Sequence, residues 1–259
     1  MLRRAAHCAA QRDSLLAIIL SDEALINRIM NKELEQIHRD IANCRLCPRL
    51  VAWREESAAN PPKRFAGETY WARGVPGFGD SKARLMIVGL APAAQGANRT
   101  GRMFTGDRSG DWLFRGMHKA GFCNQPFATD VNDGLELSDA YIAASCRCAP
   151  PQNKPTREEL IRCRPYLERE MLALKDVKVL LGLGKIGFDT AFRTARDLGF
   201  VAEKQMRPVP KFGHGACFQL NEKLWLLGTF HPSQQNTFTG KLTEPMFDAV
   251  FERARELIL

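Results

Sequence analysis

Cys44 and Cys47 stand within Cys44-Arg45-Leu46-Cys47, and Cys148 and Cys163 follow much later in the chain. A close pair plus a distant, wider pair is how a chain folds back to grip one metal centre. Thiolates hold zinc or iron–sulfur clusters, and four of them leave no open coordination position, so the expected role is structural. Cys146 lies two residues before Cys148, and alternation on an extended strand puts both on one face. Spacing alone therefore leaves either open as the third ligand. Cys8, Cys123 and Cys217 read as buried free thiols.

Two further strings carry candidate chemistry. One runs from Gly89-Leu90-Ala91-Pro92 through Gly96, Arg99, Gly101, Arg102 and Phe104 to Gly106-Asp107. The other is His231-Pro232-Ser233-Gln234-Gln235-Asn236-Thr237-Phe238. A Gly-rich loop can cradle phosphate, but this one lacks Gly-Lys-Ser/Thr, which argues against a P-loop. The elements that must position these strings are legible. Apolar runs at 83–90, 139–147, 177–182 and 224–230 read as strands. Helices are expected over 33–43, 111–120, 186–197 and 244–258. Another is opened by Thr156 and Glu159, a capping-box spacing, and runs past Cys163. Residues 234–241 read as a loop. Alternating strands and helices argue for an α/β sandwich around a parallel sheet. Sites in such sheets lie beyond the carboxyl ends of the strands. The segments after the first, second and fourth strands are therefore expected to converge on one pocket.

Composition bounds the rest. At 259 residues, with 45% hydrophobic and 25% charged side chains, the chain has the make-up of an ordinary globular protein. No stretch approaches the ~20 apolar residues of a membrane span. Eight cysteines without an export signal argue for a reducing, cytoplasmic setting and for metal ligation. A net charge of +8 favours an anionic partner, of which nucleic acid is the commonest. Residues 1–32 are expected to form an N-terminal extension, with a helix over 14–29 and Met30 a candidate start for the core. Residues 33–259 would form the main domain.

The two strings and the four cysteines together resemble the uracil-DNA glycosylase superfamily, nearest its family 5, the type B iron–sulfur enzymes. The resemblance covers roughly Glu33 to Leu259. It implies a three-layer α/β/α sandwich with a central, mainly parallel four-stranded sheet. It also implies a [4Fe-4S] cluster on Cys44, Cys47, Cys148 and Cys163, with Cys148 favoured because Cys148-Ala149-Pro150-Pro151 matches the family string. The implied activity is excision of uracil from DNA. Small Ala93 and Ala94 extend that expectation to hypoxanthine and xanthine.

The same resemblance assigns roles. His231 would donate a hydrogen bond to uracil O2, where charge builds as the glycosidic bond stretches. Phe104 would stack on the flipped base. Asp107 or Asn153 would position water or hold the base, against the plainer readings of helix cap and turn residue. Backbone from Ala93, Ala94, Gln95 and Gly96 would touch the base or sugar. Arg99, Arg102, Lys154, Ser233 and Gln235 would meet the DNA backbone, and Phe238 would wedge into the emptied stack. At Gln95 the branch usually carries histidine, and Leu90 and Ala91 supply no carboxylate to activate water. The partner expected is DNA holding a deaminated base, the chain acting as a monomer. The alternatives are a non-catalytic iron–sulfur nucleic-acid-binding protein and an α/β enzyme acting on a phosphorylated small molecule.

Overall fold

The computed structural model describes residues 31–259. The N-terminal extension and its expected helix lie outside the described residues, except that 31 and 32 already belong to the first helix, α1, over 31–43. The other helices are α2 (Pro48–Ala59), α3 (Ala97–Thr100), α4 (Arg108–Lys119), α5 (Arg157–Ala173), α6 (Gly184–Asp197), α7 (Gln234–Phe238) and α8 (Glu244–Ile258). The strands are β1 (Phe78–Gly79), β2 (Leu85–Gly89), β3 (Ala140–Ala144), β4 (Val179–Leu183), β5 (Cys217–Gln219) and β6 (Trp225–Thr229).

The sheet runs in the order β1-β3-β2-β4-β6-β5. Its four central strands are parallel, as the sequence led one to expect. The sheet has six strands rather than four, because short antiparallel β1 and β5 extend the two edges. Alternate strand residues feed two cores, as the pleat requires. Leu85, Ile87, Ile142, Val179 and Leu181 face α4 and α8. Met86, Val88, Tyr141, Leu180 and Leu226 face α1, α5 and α6. Burial on both faces is why the parallel strands read as near-continuous apolar runs. The result is a three-layer α/β/α sandwich.

Local chemistry sets the helix starts. At α5, Thr156 Oγ1 accepts from the Glu159 N–H at 3.2 Å while Glu159 Oε2 accepts from the Thr156 N–H at 2.7 Å, the expected capping box. At α4, Asp107 Oδ1 accepts from the Gly110 N–H at 3.0 Å. Ser233 Oγ accepts from the Asn236 N–H at 3.3 Å and starts α7, so the segment read as a loop begins as a short helix. No helix among the described residues is long and apolar enough to cross a membrane.

Candidate active site

Three loops leave the carboxyl ends of β2, β3 and β6 and enclose one open cleft. Leu90 to Ala93, Met103 and Phe104 form one wall, and Asp107 to Ser109 open α4 beside it. Asn153 comes from the loop beyond β3, and His231 with Ser233 to Gln235 from the loop beyond β6. A second, more apolar groove lined by Met86, Leu174, Val177, Leu180 and Leu224 lies near the opposite ends of the strands. It gathers no comparable set of convergent polar groups, which is the mark of a reaction site.

Phe104 forms the floor. It is 8% exposed and holds φ +55°, a left-handed conformation that non-glycine residues rarely adopt. Two glycines make room for it. A Cβ at Gly110 would run into the Phe104 carbonyl oxygen, and one at Gly89 would stand 2.8 Å from Phe104 Cζ. The ring faces that of His231, with centroids 6.1 Å apart and planes at 34°. The His231 carbonyl accepts from Asn236 Nδ2 at 2.8 Å and from the Ser233 N–H at 2.7 Å, which ties the loop back on α7. Burial alone pulls the His231 pKa down to about 4, so its imidazole is neutral at physiological pH. A neutral ring keeps one N–H donor and one acceptor nitrogen.

Asp107 caps α4 and lines the cleft at once, so the plain reading and the functional one coexist. Burial raises its pKa, opposed by the N–H groups of Gly110 and Ser109. Gly96 takes part through this residue: a Cβ there would collide with the Asp107 carboxylate. Asn153 stands on the rim at φ +56°, following Gln152 at the same φ, a conformation asparagine tolerates better than most.

Several expected contacts fall elsewhere. Arg102 is withdrawn from the DNA-facing set: it is 7% exposed, and its Nη2 donates to both carboxylate oxygens of Asp133 at 2.8 Å. Arg99 lies over the Phe65 ring at 4.2 Å and pairs with Glu68 at 2.6 Å, so it braces the loop rather than reaching outward. The Gln95 side chain accepts a hydrogen bond from the Tyr70 hydroxyl, and neither it nor Ala94 lines the cleft. Lys154 is exposed beside Asn153 without lining the cleft. Arg108, which sequence reasoning passed over, does line it and stacks on Phe238 at 4.6 Å. Its position directly after Asp107 was the available signal.

Behind the β3 loop, Cys44, Cys47, Cys146, Cys148 and Cys163 line one small cavity. They come from the α1–α2 turn, the segment after β3, and α5. The backbone N–H of Arg147 points at Cys163 Sγ at 3.2 Å, and Arg54 Nη1 lies 3.0 Å from Cys148 Sγ. The Cys146 thiol approaches the Cys148 carbonyl at 3.4 Å and also meets the Cys163 thiol. Among the described residues no three metal-binding side chains converge on a single point. Burial pushes the Cys148 thiol up to about 11, so uptake of a metal centre here would release protons. An all-sulfur donor set with N–H groups directed at the sulfurs fits an iron–sulfur cluster.

This cavity is joined to the cleft through the backbone and through Ala91, which packs against Leu50, Cys146 and Cys148. The Ser145 and Cys146 N–H groups donate to the Gly89 and Leu90 carbonyls, each at 2.9 Å. Asn98 Nδ2 donates to the Arg54 carbonyl at 3.1 Å, joining α2 to the loop that carries Phe104. Asn153 itself sits between Cys148 and Cys163 in the chain.

Residues 76–255 match the family model described as the uracil DNA glycosylase superfamily. The chain is 48% identical over 218 residues to the type-5 uracil-DNA glycosylase of Mycobacterium tuberculosis, covering 84% of this chain and 79% of that one. It is 45% identical over 223 residues to the type-5 uracil-DNA glycosylase of Thermus thermophilus, covering 86% of this chain and 97% of that one. The type-4 uracil-DNA glycosylase of Pyrobaculum aerophilum is more distant, 29% identical over 208 residues, with coverage of 78% and 83%.

Proposed function

The chain belongs to the uracil DNA glycosylase superfamily, in its type-5 branch, and from that premise we propose that it is a DNA-repair hydrolase excising uracil from DNA. The C1′–N bond of the deoxyuridine breaks and its electron pair leaves with the base. Water adds to C1′ and yields a proton, so the products are free base and an abasic site. The observation that carries this reading is the neutral, half-buried His231 facing Phe104 across a cleft at the carboxyl ends of parallel strands.

The flipped base enters between Phe104 and the His231 loop and exchanges base stacking for the Phe104 ring. As the glycosidic bond stretches, negative charge collects on the base. A neutral His231 N–H directed at uracil O2 then stabilises the transition state more than the ground state. The donor needs no proton from solvent, because the ring is already in its donor form. Asp107 and Asn153 lie on the polar side of the cleft, where water must approach C1′. One Asp107 oxygen is engaged by the α4 cap and its other oxygen is the candidate water ligand. The reaction is largely dissociative, so a weakly basic carboxylate suffices. Excision is proposed to proceed by hydrolysis, without a Schiff base or strand nicking. Ser233, Gln235 and Arg108 frame the mouth for phosphate contacts, Lys154 is exposed beside Asn153 for a contact further out, and Phe238, 66% exposed on α7, would fill the vacated stack. Leu90, Ala91 and Ala93 present an apolar wall, which suits hypoxanthine and xanthine as well as uracil.

The thiol cavity would hold a [4Fe-4S] cluster on Cys44, Cys47, Cys148 and Cys163, acting as a brace. Cys148 is preferred to Cys146 because its sulfur faces a guanidinium, the setting of a thiolate. The chain is proposed to act as a monomer.

The test is a labelled duplex with one uracil, followed by hot alkali. Strand breakage only after alkali is the expected result, with inosine and xanthosine duplexes also cut. Cleavage confined to uracil removes the broad-substrate part. If all three duplexes stay intact with protein that retains its iron, the non-catalytic DNA-binding reading replaces this one.

A further inference from the structure

Two arginines are enclosed beside the thiol cavity, and one carboxylate pairs with only one of them. Arg54 on α2 and Arg147 between Cys146 and Cys148 are each 1% exposed. Arg147 pairs with Glu170 of α5, whose other oxygen accepts from the Tyr141 hydroxyl at 3.0 Å. That charge is answered. Arg54 makes no salt bridge among the described residues. Its Nη1 lies 3.0 Å from Cys148 Sγ and its Nη2 donates to the Cys44 carbonyl at 3.1 Å. Its Nε, like Nε and Nη1 of Arg147, is buried with no hydrogen-bond partner among the described residues.

A guanidinium stays charged at any physiological pH, and enclosing it unpaired is costly. With neutral thiols around it, the enclosure would carry the uncompensated charge of Arg54. With a [4Fe-4S] core on four thiolates the centre is a dianion, and the Arg54 guanidinium cancels one of its two charges. The orphaned N–H groups and the missing carboxylate thus share one explanation: the counter-ion of Arg54 is the thiolate centre itself.

We propose that Arg54 is the charge-balancing and positioning residue of that centre. Through Cys148 Sγ and the Cys44 carbonyl, one guanidinium holds together the two halves of the ligand set, drawn from distant parts of the chain. A cation and an N–H directed at sulfur favour the more negative core, which raises the reduction potential. The proposal rests on the reading of the cavity as a [4Fe-4S] site.

The test compares wild type, Arg54→Met and Arg54→Lys, all purified without oxygen. Iron and acid-labile sulfide, the rate at which a chelator bleaches the visible absorbance, and the midpoint potential of the one-electron couple at an electrode are read for each. Wild type without iron overturns the cofactor reading and this one with it. With iron present in wild type, Arg54→Met is expected to bleach about 10- to 100-fold faster, the range for losing a partner of a metal ligand. Its remaining cluster should reduce at a more negative potential, with Arg54→Lys between the two. Unchanged bleaching and potential in Arg54→Met overturn the Arg54 assignment alone. Faster bleaching with an unmoved potential also overturns it, since a merely structural role would give that pattern. If Arg54→Met does not accumulate as folded protein, Arg54→Lys decides: wild-type values for both readings refute the proposal, and intermediate values support it.

Discussion

Substituting His231 separates a neutral donor from an imidazolium. The ring's pKa lies at about 4 in the fold, against about 6.5 for a free histidine. That difference of about 2.5 units makes charging the ring in place cost roughly 3 kcal/mol. As pH falls below about 6.5 the unfolded chain takes up the proton first, so the folded state loses stability between about pH 6.5 and 4. At pH 5 the loss amounts to about 2 kcal/mol. Urea unfolding at pH 7.5 and 5.0 should therefore show wild type losing about 2 kcal/mol more than His231→Gln, which has nothing to titrate at this position. In single-turnover excision, His231→Ala should fall about 100- to 1,000-fold, the cost of one donor to a developing anion. His231→Gln keeps an N–H and should lose less. The wild-type rate should show no inflection near pH 6.5. An inflection there that vanishes in His231→Gln would mean the working form is the cation, and the argument from burial would fail.

Asp107→Asn should melt like wild type, because both residues cap helices well, whereas Asp107→Ala should cost about 0.5–2 kcal/mol. If the carboxylate positions water, Asp107→Asn loses excision without losing stability; unchanged turnover would leave Asp107 as a cap only. Phe104→Leu should keep the fold and weaken transition-state binding by about 1–3 kcal/mol, the worth of stacking one base on an aromatic ring, and excision rates on uracil duplexes measure it. Cys148→Ser should abolish the visible absorbance of the purified protein while Cys146→Ser retains it; the reverse would exchange the two as ligands.

The elements easiest to read in the sequence were those with one physical demand on them. Residues 83–90 and 177–182 must be apolar on both faces, and they stand out as runs. Thr156 and Glu159 announce α5 because the capping box fixes both residue types. β1 and β5 have two and three residues, too few for any period to show. α2 was missed for a different reason. Its buried residues include Arg54 and Ser57 beside Leu50 and Val51, so no apolar stripe marks it. In the cleft, His231, Phe104 and Asp107 were legible because a long motif carries them. Arg99 and Arg102 were misread because their partners, Glu68 and Asp133, lie some thirty residues away, and no local pattern tells a paired arginine from a free one. The side-chain path of Gln95 was equally hidden, since it depends on Tyr70.

The packing of α1 has a consequence in time. Leu34, Ile37 and Ile41 are buried among Tyr141, Leu167 and Met171, and Cys44 and Cys47 meet their companions only at Cys148 and Cys163. A ribosome adding about 5–20 residues each second needs roughly 6–25 s to pass from the first cysteine pair to the last. Through that interval the nascent chain shows an apolar helix face and two accessible thiols with nothing to close on them. A pulse of oxidant during synthesis should therefore harm the protein far more than the same pulse applied to the finished fold.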